Sequence, residues 1–217
     1  MFVGHYSVSF LGKSAEKRIP LWLLFLAVQF IDVLWSIFVL LGVEKVRIIP
    51  GFTASNALDL YYMPYTHSFL GVLCWSAFAY VACQFVPGLR GRRIGLIVAA
   101  AVFSHWVLDL IVHVPDLSLY DSVGKLGFGL WNHRGAAFTL ELAVLFAGAA
   151  VLYPSAARKA RLVGFVIFLA AIQVFNIFFF PPPSSDHAMA ISAFLSYVVL
   201  TFIAWWVDRG ENQPSQN

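Results

Sequence analysis

The stretch SHWVLDLIVH, residues 104–113, places three ionisable side chains in a segment otherwise apolar enough to cross a membrane. His105, Asp109 and His113 recur every four residues, and each such step advances by roughly 40° around an α-helix. The three groups are therefore predicted to form one stripe about 12 Å long. An Asp at the centre of a membrane helix costs roughly 2.5–3.5 kcal/mol on an insertion scale. The stripe thus indicates a functional site, and an Asp between two His indicates a metal.

The composition of the whole chain indicates an integral membrane protein. The 217 residues are 60% hydrophobic and only 12% charged, and the mean hydropathy is +0.80. A soluble domain carries about 25% charged residues. The formal net charge is +3, and no Lys/Arg block interleaved with aromatic residues occurs. Nucleic acid is therefore not expected as a partner.

Hydropathy and the positions of proline predict an all-α fold, a polytopic membrane helix bundle of about six transmembrane helices. The predicted spans cover residues 20–43, 67–87, 94–114, 136–153, 161–180 and 188–207. Residues 1–207 are predicted to form a single transmembrane helical domain. Residues 208–217 are predicted to be a polar cytoplasmic tail.

Residues 2–12 are apolar but too short to cross a membrane. They predict a short N-terminal helix that is either re-entrant, with its first residues deep in the bundle, or simply interfacial. In the re-entrant case, His5 lies about 12 Å above Lys13 at 1.5 Å per residue, near the depth of Asp32. Non-helical chain at such a depth must be shielded by protein or line a wet cavity.

The basic residues predict the orientation of the bundle. Ten of them fall on one side of the predicted spans: Lys13, Lys17, Arg18, Arg90, Arg92, Arg93, Arg158, Lys159, Arg161 and Arg209. Four fall on the other: Lys45, Arg47, Lys125 and Arg134. The positive-inside rule then predicts that both termini are cytoplasmic and that the intervening loops 44–66, 115–135 and 181–187 face outward.

This topology gathers the ionisable side chains of the spans in the outer half of the bundle. Asp32 lies past the middle of the first span, His67 begins the second, and Glu141 lies about two turns inside the fourth. The candidate metal ligands are His5, Asp32, His67, His105, Asp109 and His113. Imidazole and carboxylate suit a divalent metal, zinc foremost, with manganese or iron as alternatives. Because one tetrahedral ion needs fewer ligands, Asp32 and Glu141 are also candidate catalytic bases.

Structural interpretations compete with each of these assignments. The stripe is also consistent with a buried polar cluster that hydrogen-bonds neighbouring helices. Asp32 is also consistent with a hydrogen bond in helix packing or with a proton relay. Glu141 is equally a partner for Arg134. His133 and Arg134 suit an anionic group approaching from outside, although a plain surface loop is the favoured interpretation.

The motifs resemble those of the bacterial inner-membrane metal-dependent hydrolase family, related in pattern to zinc-dependent phospholipase C. That family has an early Gly-His, an Asp-x-Asp pair, a His-Arg-Gly-x-Thr-His-Ser stretch and a later Ser-His-x-x-x-Asp. This chain matches them in order with Gly4-His5, Asp32, Thr66-His67-Ser68 and Ser104-His105 with Asp109. It has one Asp where the family has two, and Met63-Pro-Tyr in place of His-Arg-Gly. The resemblance implies a hydrolase in the bacterial inner membrane.

The leading hypothesis is a membrane-embedded hydrolase in which a metal activates water to attack an ester or phosphoester of a lipid or lipid-linked substrate. A transporter or channel that uses Asp32, Asp109 and Glu141 as an ion or proton relay is the main alternative. A b-type haem protein with axial histidines from facing helices is a third hypothesis. A purely structural membrane protein is the fourth.

Overall fold

The computed structural model describes residues 1–209, so residues 210–217 of the predicted tail lie outside the described residues. The described chain forms eight α-helices: α1 (Tyr6–Ala15), α2 (Leu21–Val28), α3 (Phe30–Leu40), α4 (Phe69–Phe85), α5 (Arg92–Val112), α6 (Arg134–Leu152), α7 (Lys159–Phe178) and α8 (Asp186–Asp208). Two antiparallel strands, β1 (Lys45–Ile48) and β2 (Leu58–Tyr62), follow α3. Single 3-10 turns cover Val3–His5, Leu130–Asn132 and Tyr153–Ser155. The predicted all-α class holds, with this small sheet added.

The apolar helices indicate a multi-pass membrane protein, but they do not make six spans. Four helices are long and apolar enough to cross a membrane: Arg92–Val112, Arg134–Ser155, Lys159–Phe178 and Asp186–Asp208. The first predicted span is a broken one, because α2 and α3 meet at an angle of 53°. The second is only the 17-residue α4, about 25 Å long against a hydrocarbon core of about 30 Å. The prediction of six spans is therefore wrong, and the described residues have four or five.

The break between α2 and α3 occurs at Gln29, a residue that hydropathy does not distinguish from its surroundings. Its φ of −105° and ψ of 7° lie outside the helical region. Its side-chain amide donates to the carbonyl of Phe2 at 3.3 Å. The bend puts Asp32 in the first turn of α3. It also leaves the carbonyl of Val28 in contact with the ring of His105, 2.8 Å from its Nδ1.

The N-terminal segment lies inside the bundle. Val3, His5 and Phe10 are all fully buried, and α1 packs against α2, α5 and α6. The backbone of Ser7 approaches α6 at Gly148, where a Cβ atom would collide with it. This contact agrees with the close packing that small residues permit between membrane helices. The segment is therefore buried among the helices and does not lie at the periphery of the bundle.

The opposite end of α1 is fixed by a buried ion pair. Lys13 Nζ lies 2.9 Å from Asp208 Oδ1, and both side chains are less than a tenth exposed. Asp208 Oδ2 also accepts from the backbone N–H of Leu21 at 2.8 Å. The pair thus joins α1, the start of α2 and the end of α8. Asp208 belongs to α8 and not to the predicted tail, because this pairing keeps the last turn of α8 in the bundle.

Other contacts place the basic segments at this same end. Arg93 at the start of α5 donates to the carbonyl of Ala15 at 2.7 Å. Arg161 at the start of α7 donates to the carbonyl of Trp206 at 3.2 Å. The ends of α1 and α8 and the beginnings of α5 and α7 therefore meet, as the predicted topology requires.

We expect Lys13→Met to lower the free energy of unfolding by about 3–5 kcal/mol, because Asp208 would remain as a buried charge without its partner. Lys17→Met removes an exposed lysine four residues along and should stay within about 0.5 kcal/mol of the wild type. Unfolding of the detergent-solubilised protein, followed by circular dichroism, measures both. Equal destabilisation by the two substitutions would contradict the role given to the ion pair.

Candidate metal centre

The predicted stripe on α5 converges on the carboxylate of Asp109. His105 Nε2 lies 3.1 Å and His113 Nε2 lies 3.4 Å from Asp109 Oδ2. His113 follows the last residue of α5 and is only 2% exposed. It is therefore buried beside Asp109, although it lies at the very end of a membrane-length helix.

Asp32 and His67 form a second wall facing this stripe. Asp32 Oδ1 lies 3.3 Å from His67 Nε2 and 3.5 Å from His105 Nε2. His67 Nε2 lies 3.9 Å from Asp109 Oδ2. The bend before α3 brings Asp32 here, and the start of α4 brings His67. Ser68 caps α4 by accepting from the N–H of Gly71 at 3.0 Å, so His67 lies just outside the helix.

The N-terminal segment provides the third wall. The ring of His5 stacks on that of His105, with 4.1 Å between centroids and 6° between planes. His5 Nε2 lies 3.1 Å from Asp109 Oδ1, while its Nδ1 is buried without a hydrogen-bond partner. The amino group of Met1 also donates to Asp109 Oδ1. All six predicted ligand residues therefore lie in one cluster.

In three of these histidines, a hydrogen-bond acceptor contacts Nδ1, the ring nitrogen that faces away from the two carboxylates, and so orients the ring. His105 Nδ1 lies 2.8 Å from the carbonyl of Val28, and His113 Nδ1 lies 2.8 Å from Asp116 Oδ1. His67 Nδ1 lies 2.8 Å from Thr66 Oγ1. A carbonyl or carboxylate oxygen only accepts, so Nδ1 of His105 and His113 carries the proton. In a neutral ring, Nε2 then presents a lone pair to the carboxylates.

The ring of His67 is held by a chain of hydrogen bonds that runs through Thr66 to Glu44. The hydroxyl of Thr66 donates to Glu44 Oε2 at 2.6 Å, and is left to accept from His67 Nδ1. Glu44 Oε1 accepts from the backbone N–H groups of Tyr65 and Thr66 at 2.8 and 2.9 Å. Burial raises the pKa of Glu44 above its ordinary value, and these hydrogen bonds oppose that effect. Glu44 and Thr66 thus fix the orientation of the His67 ring.

The cluster has the spacing and the chemistry of a metal site. Two ligand atoms on one tetrahedral zinc, each bonded at about 2.0–2.1 Å, are roughly 3.3 Å apart. The contacts of Asp32 and Asp109 with His67 and His105 range from 3.1 to 3.9 Å. His105 Nε2 is buried without a hydrogen-bond partner. Facing lone pairs repel unless positive charge lies between them, so these buried groups could hold a metal ion.

Two sets of three ligands share His105. One set is His5, His105 and Asp109, and the other is Asp32, His67 and His105. Within each set the candidate ligand atoms lie within 4.8 Å of one another. Imidazole nitrogen and carboxylate oxygen together suit zinc, and also manganese or iron.

The two candidate bases, Asp32 within the cluster and Glu141 next to it, have different environments. Asp32 Oδ2 accepts from the hydroxyl of Tyr197 at 2.7 Å, so Asp32 is held from both of its oxygens. Glu141 is 2% exposed, and its Oε2 accepts from the N–H groups of Phe2 and Gly4 at 2.8 and 3.3 Å. Glu141 therefore positions the segment that carries His5. The predicted pairing with Arg134 is not among its hydrogen bonds.

A cavity of about 720 Å³ reaches the cluster. Its wall includes Asp32, His67, Asp109, His113 and Glu141. His5 and His105 do not line it and are fully buried behind these residues. The volume lies within the roughly 300–1,000 Å³ typical of small-molecule sites. A ligand in the cavity would therefore contact one side of the cluster.

The remaining histidines lie apart from the cluster. The side chain of His187 is 60% exposed and pairs with Asp186. His133 is exposed at the start of α6. Its neighbour Arg134 lines the cavity and donates through Nε to the carbonyl of Ala54.

Sequence reasoning missed three residues that support the cluster. Asp116 follows His113 by three residues, so its contact with His113 was open to prediction from spacing alone. Glu44 and Tyr197 carry no such signal, because their partners Thr66 and Asp32 are distant in the chain.

Comparisons with protein-family models, with curated proteins and with solved structures give no significant match to this chain. The likeness to the inner-membrane hydrolase family therefore depends on the short motifs alone.

We expect Thr66→Val to weaken zinc binding by about 10–100-fold, the usual effect of removing a group that orients a ligand. Valine keeps the shape of threonine but cannot link His67 to Glu44. Thr139→Val, on an exposed position of α6, is the matched control and should leave the affinity unchanged. Zinc titration against a competing chelator measures both, and equal affinities would contradict the orienting role.

Proposed function

We propose that the chain is a membrane-embedded metal-dependent hydrolase that acts on an ester or phosphoester of a lipid-like substrate. The observation that carries the proposal is the shared orientation of three histidines. His67, His105 and His113 each have Nδ1 held by an acceptor and Nε2 directed at Asp32 or Asp109. Carboxylate-oriented and carbonyl-oriented histidines of this kind are the usual support of protein metal ligands.

Asp32, His67 and His105 would hold the ion, zinc foremost, since their ligand atoms lie within 4.8 Å of one another, and Asp109 would complete the set from 3.1 Å beside His105 and 3.9 Å beside His67. His113 adds a further nitrogen beside Asp109, and His5 covers the face behind His105. A divalent ion at this position polarises an ester or phosphoryl oxygen and makes water more acidic.

Glu141 is the residue we assign as general base. It lines the cavity beside Asp109, and two backbone N–H groups fix the position of its Oε2. Asp32 is less suited to accept a proton, because Tyr197 holds Oδ2 and His67 and His105 face Oδ1. Glu141 would take a proton from water in the cavity as the water oxygen attacks the carbonyl carbon or the phosphorus. The ester bond to the leaving alcohol would then break, and Glu141 would return the proton to the departing alkoxide oxygen.

The packing of the bundle favours hydrolysis over conduction. Between the cluster and the Lys13–Asp208 pair, the fully buried rings of Phe10 and Phe25 pack edge to face. Tyr6 stacks on Phe25 with 4.3 Å between centroids. These rings occupy the space between the cluster and the Lys13–Asp208 pair, whereas the cavity reaches the cluster away from that pair.

The location we propose is the inner membrane of a bacterium, with the bilayer as the surrounding partner and both termini cytoplasmic. The basic ends of α1, α5, α7 and α8 meet at one end of the bundle, and the positive-inside rule assigns that end to the cytoplasm. The cavity then opens toward the outer side.

Metal content of the purified protein tests the proposal directly. We expect about one zinc per wild-type chain and loss of most of it in His105→Ala and Asp109→Ala, because each removes a ligand. His187→Ala removes an exposed histidine outside the cluster and should retain the metal. Elemental analysis after dialysis gives the ratios. A wild type without metal, or Asp109→Ala with an undiminished content, would overturn the metal centre.

Activity tests the base. We expect Glu141→Gln to keep its metal and to lower kcat for a soluble chromogenic phosphodiester or carboxylic ester by about 10²–10⁴-fold. The amide oxygen of Gln can still accept from Phe2 and Gly4, so the fold is preserved. An unchanged kcat in metal-loaded Glu141→Gln would remove Glu141 from the mechanism. Absence of hydrolysis of either substrate class by the zinc-loaded wild type would count against a hydrolase.

A further inference from the structure

The cavity has a side wall made by α7 and α8. Asn176 of α7 lines it, and so do Ser192 and Ser196 of α8. All three of these residues are exposed as well as cavity-lining, so polar side chains of both helices are accessible from the cavity. Ser192 and Ser196 are four residues apart and therefore share one face of α8.

A contact near the other end of the two helices joins them. Arg161 of α7 donates to the carbonyl of Trp206 and lies 4.7 Å from the centre of its ring. Elsewhere α8 packs chiefly on α2 and α3, and α7 chiefly on α6, with few contacts between α7 and α8. The cavity thus reaches the space between α7 and α8 at Asn176, Ser192 and Ser196, where few contacts join the helices, and this space is called the gap below.

This gap lies between two helices that have the length and hydropathy of membrane spans. Phe175 of α7 and Leu195 of α8 are about half exposed near the gap. In a bilayer such side chains face lipid tails, so the gap connects the cavity with the acyl-chain region and not with water. The hydroxyls of Ser192 and Ser196 are satisfied within α8, by the carbonyls of Met189 and Ser192. These hydroxyls therefore have no unsatisfied hydrogen-bond donor that would disfavour an acyl chain in the gap.

The other part of the cavity suits an anionic head group. Arg134 lines it and uses Nε to donate to the carbonyl of Ala54. The guanidinium has five N–H donors in a planar fork that matches phosphate oxygens. A divalent ion at the nearby cluster would add positive charge on the same side of the cavity.

We propose that the substrate is a membrane phospholipid that enters sideways through the gap between α7 and α8, with its phosphate near Arg134 and its acyl chains between the helices. This inference rests on the proposed function, because it names the substrate class of the same site. It adds the route of access and the chemistry of the head group.

Lipid retention tests this route without requiring turnover. Zinc-supplemented protein in detergent is incubated with phosphatidylglycerol and examined by native mass spectrometry, and the metal content is measured in parallel. We expect Ser192→Trp, which places an indole in the gap, to lower lipid retention at least tenfold while the metal content is unchanged. Val198→Trp, at an exposed position of α8 that does not line the cavity and lies on a different face from Ser192 and Ser196, should retain lipid like the wild type.

Asn176→Trp approaches the gap from α7 and should act like Ser192→Trp, so the test does not depend on one variant folding. Retention of phosphatidylglycerol by both gap variants at the wild-type level would overturn the route. Diacylglycerol with the same chains, and glycerol 3-phosphate as the soluble head group, should each bind at least tenfold more weakly. If either compound bound as tightly as phosphatidylglycerol, the phospholipid assignment would be overturned.

The two proposals fail separately. If the gap variants lose lipid but the wild type hydrolyses neither substrate class, the lipid site is supported and the hydrolase is contradicted. Hydrolysis with retention unaffected by either gap variant would leave the hydrolase standing and remove the lateral route.

Discussion

The carboxylate of Asp109 sets the main constraint on this fold. It is 1% exposed in the middle of an apolar bundle, where an isolated charge would be very costly. His5, His105 and His113 and the amino group of Met1 surround it. The helix that carries Asp109, the N-terminal segment and the residues preceding α4 all converge on this group. The ammonium group of Met1 compensates the buried negative charge, and the imidazole nitrogens brought to the same place add a set of ligand atoms.

Irregular backbone is the means by which the cluster is assembled. Regular membrane helices satisfy their own backbone groups and leave nothing for side chains to use. Here the bend at Gln29, the turn before α4 and the 3-10 turn at Val3–His5 all lie near the cluster. The carbonyl of Val28 and the N–H groups of Phe2 and Gly4 consequently bind His105 and Glu141. The cost of breaking helices inside the bundle is thus offset by hydrogen bonds that orient functional side chains.

Much of the site could be predicted from sequence because charge in an apolar segment is conspicuous. The four-residue spacing of His105, Asp109 and His113 gave the stripe, and hydropathy placed Asp32 at a similar depth. Hydropathy could not show the bend at Gln29, since both flanking helices are apolar and a window across them resembles one span. Hydropathy also predicted a span over residues 67–87 where α4 has only 17 residues. Glu44 and Tyr197 were beyond prediction, because their roles depend on contacts across more than twenty and more than a hundred and sixty residues.

The burial of α1 has a consequence for biogenesis. Residues 3–15 leave the ribosome before α5 and α6, the helices on which they pack. During synthesis this apolar segment must therefore wait without its final neighbours, in the membrane or against a chaperone, until more than half of the chain has been inserted. His5 reaches Asp109 only when the segment docks, so the cluster is completed at the moment the bundle closes. The ordering of this one segment would then separate an immature chain, with an incomplete cluster, from a finished one.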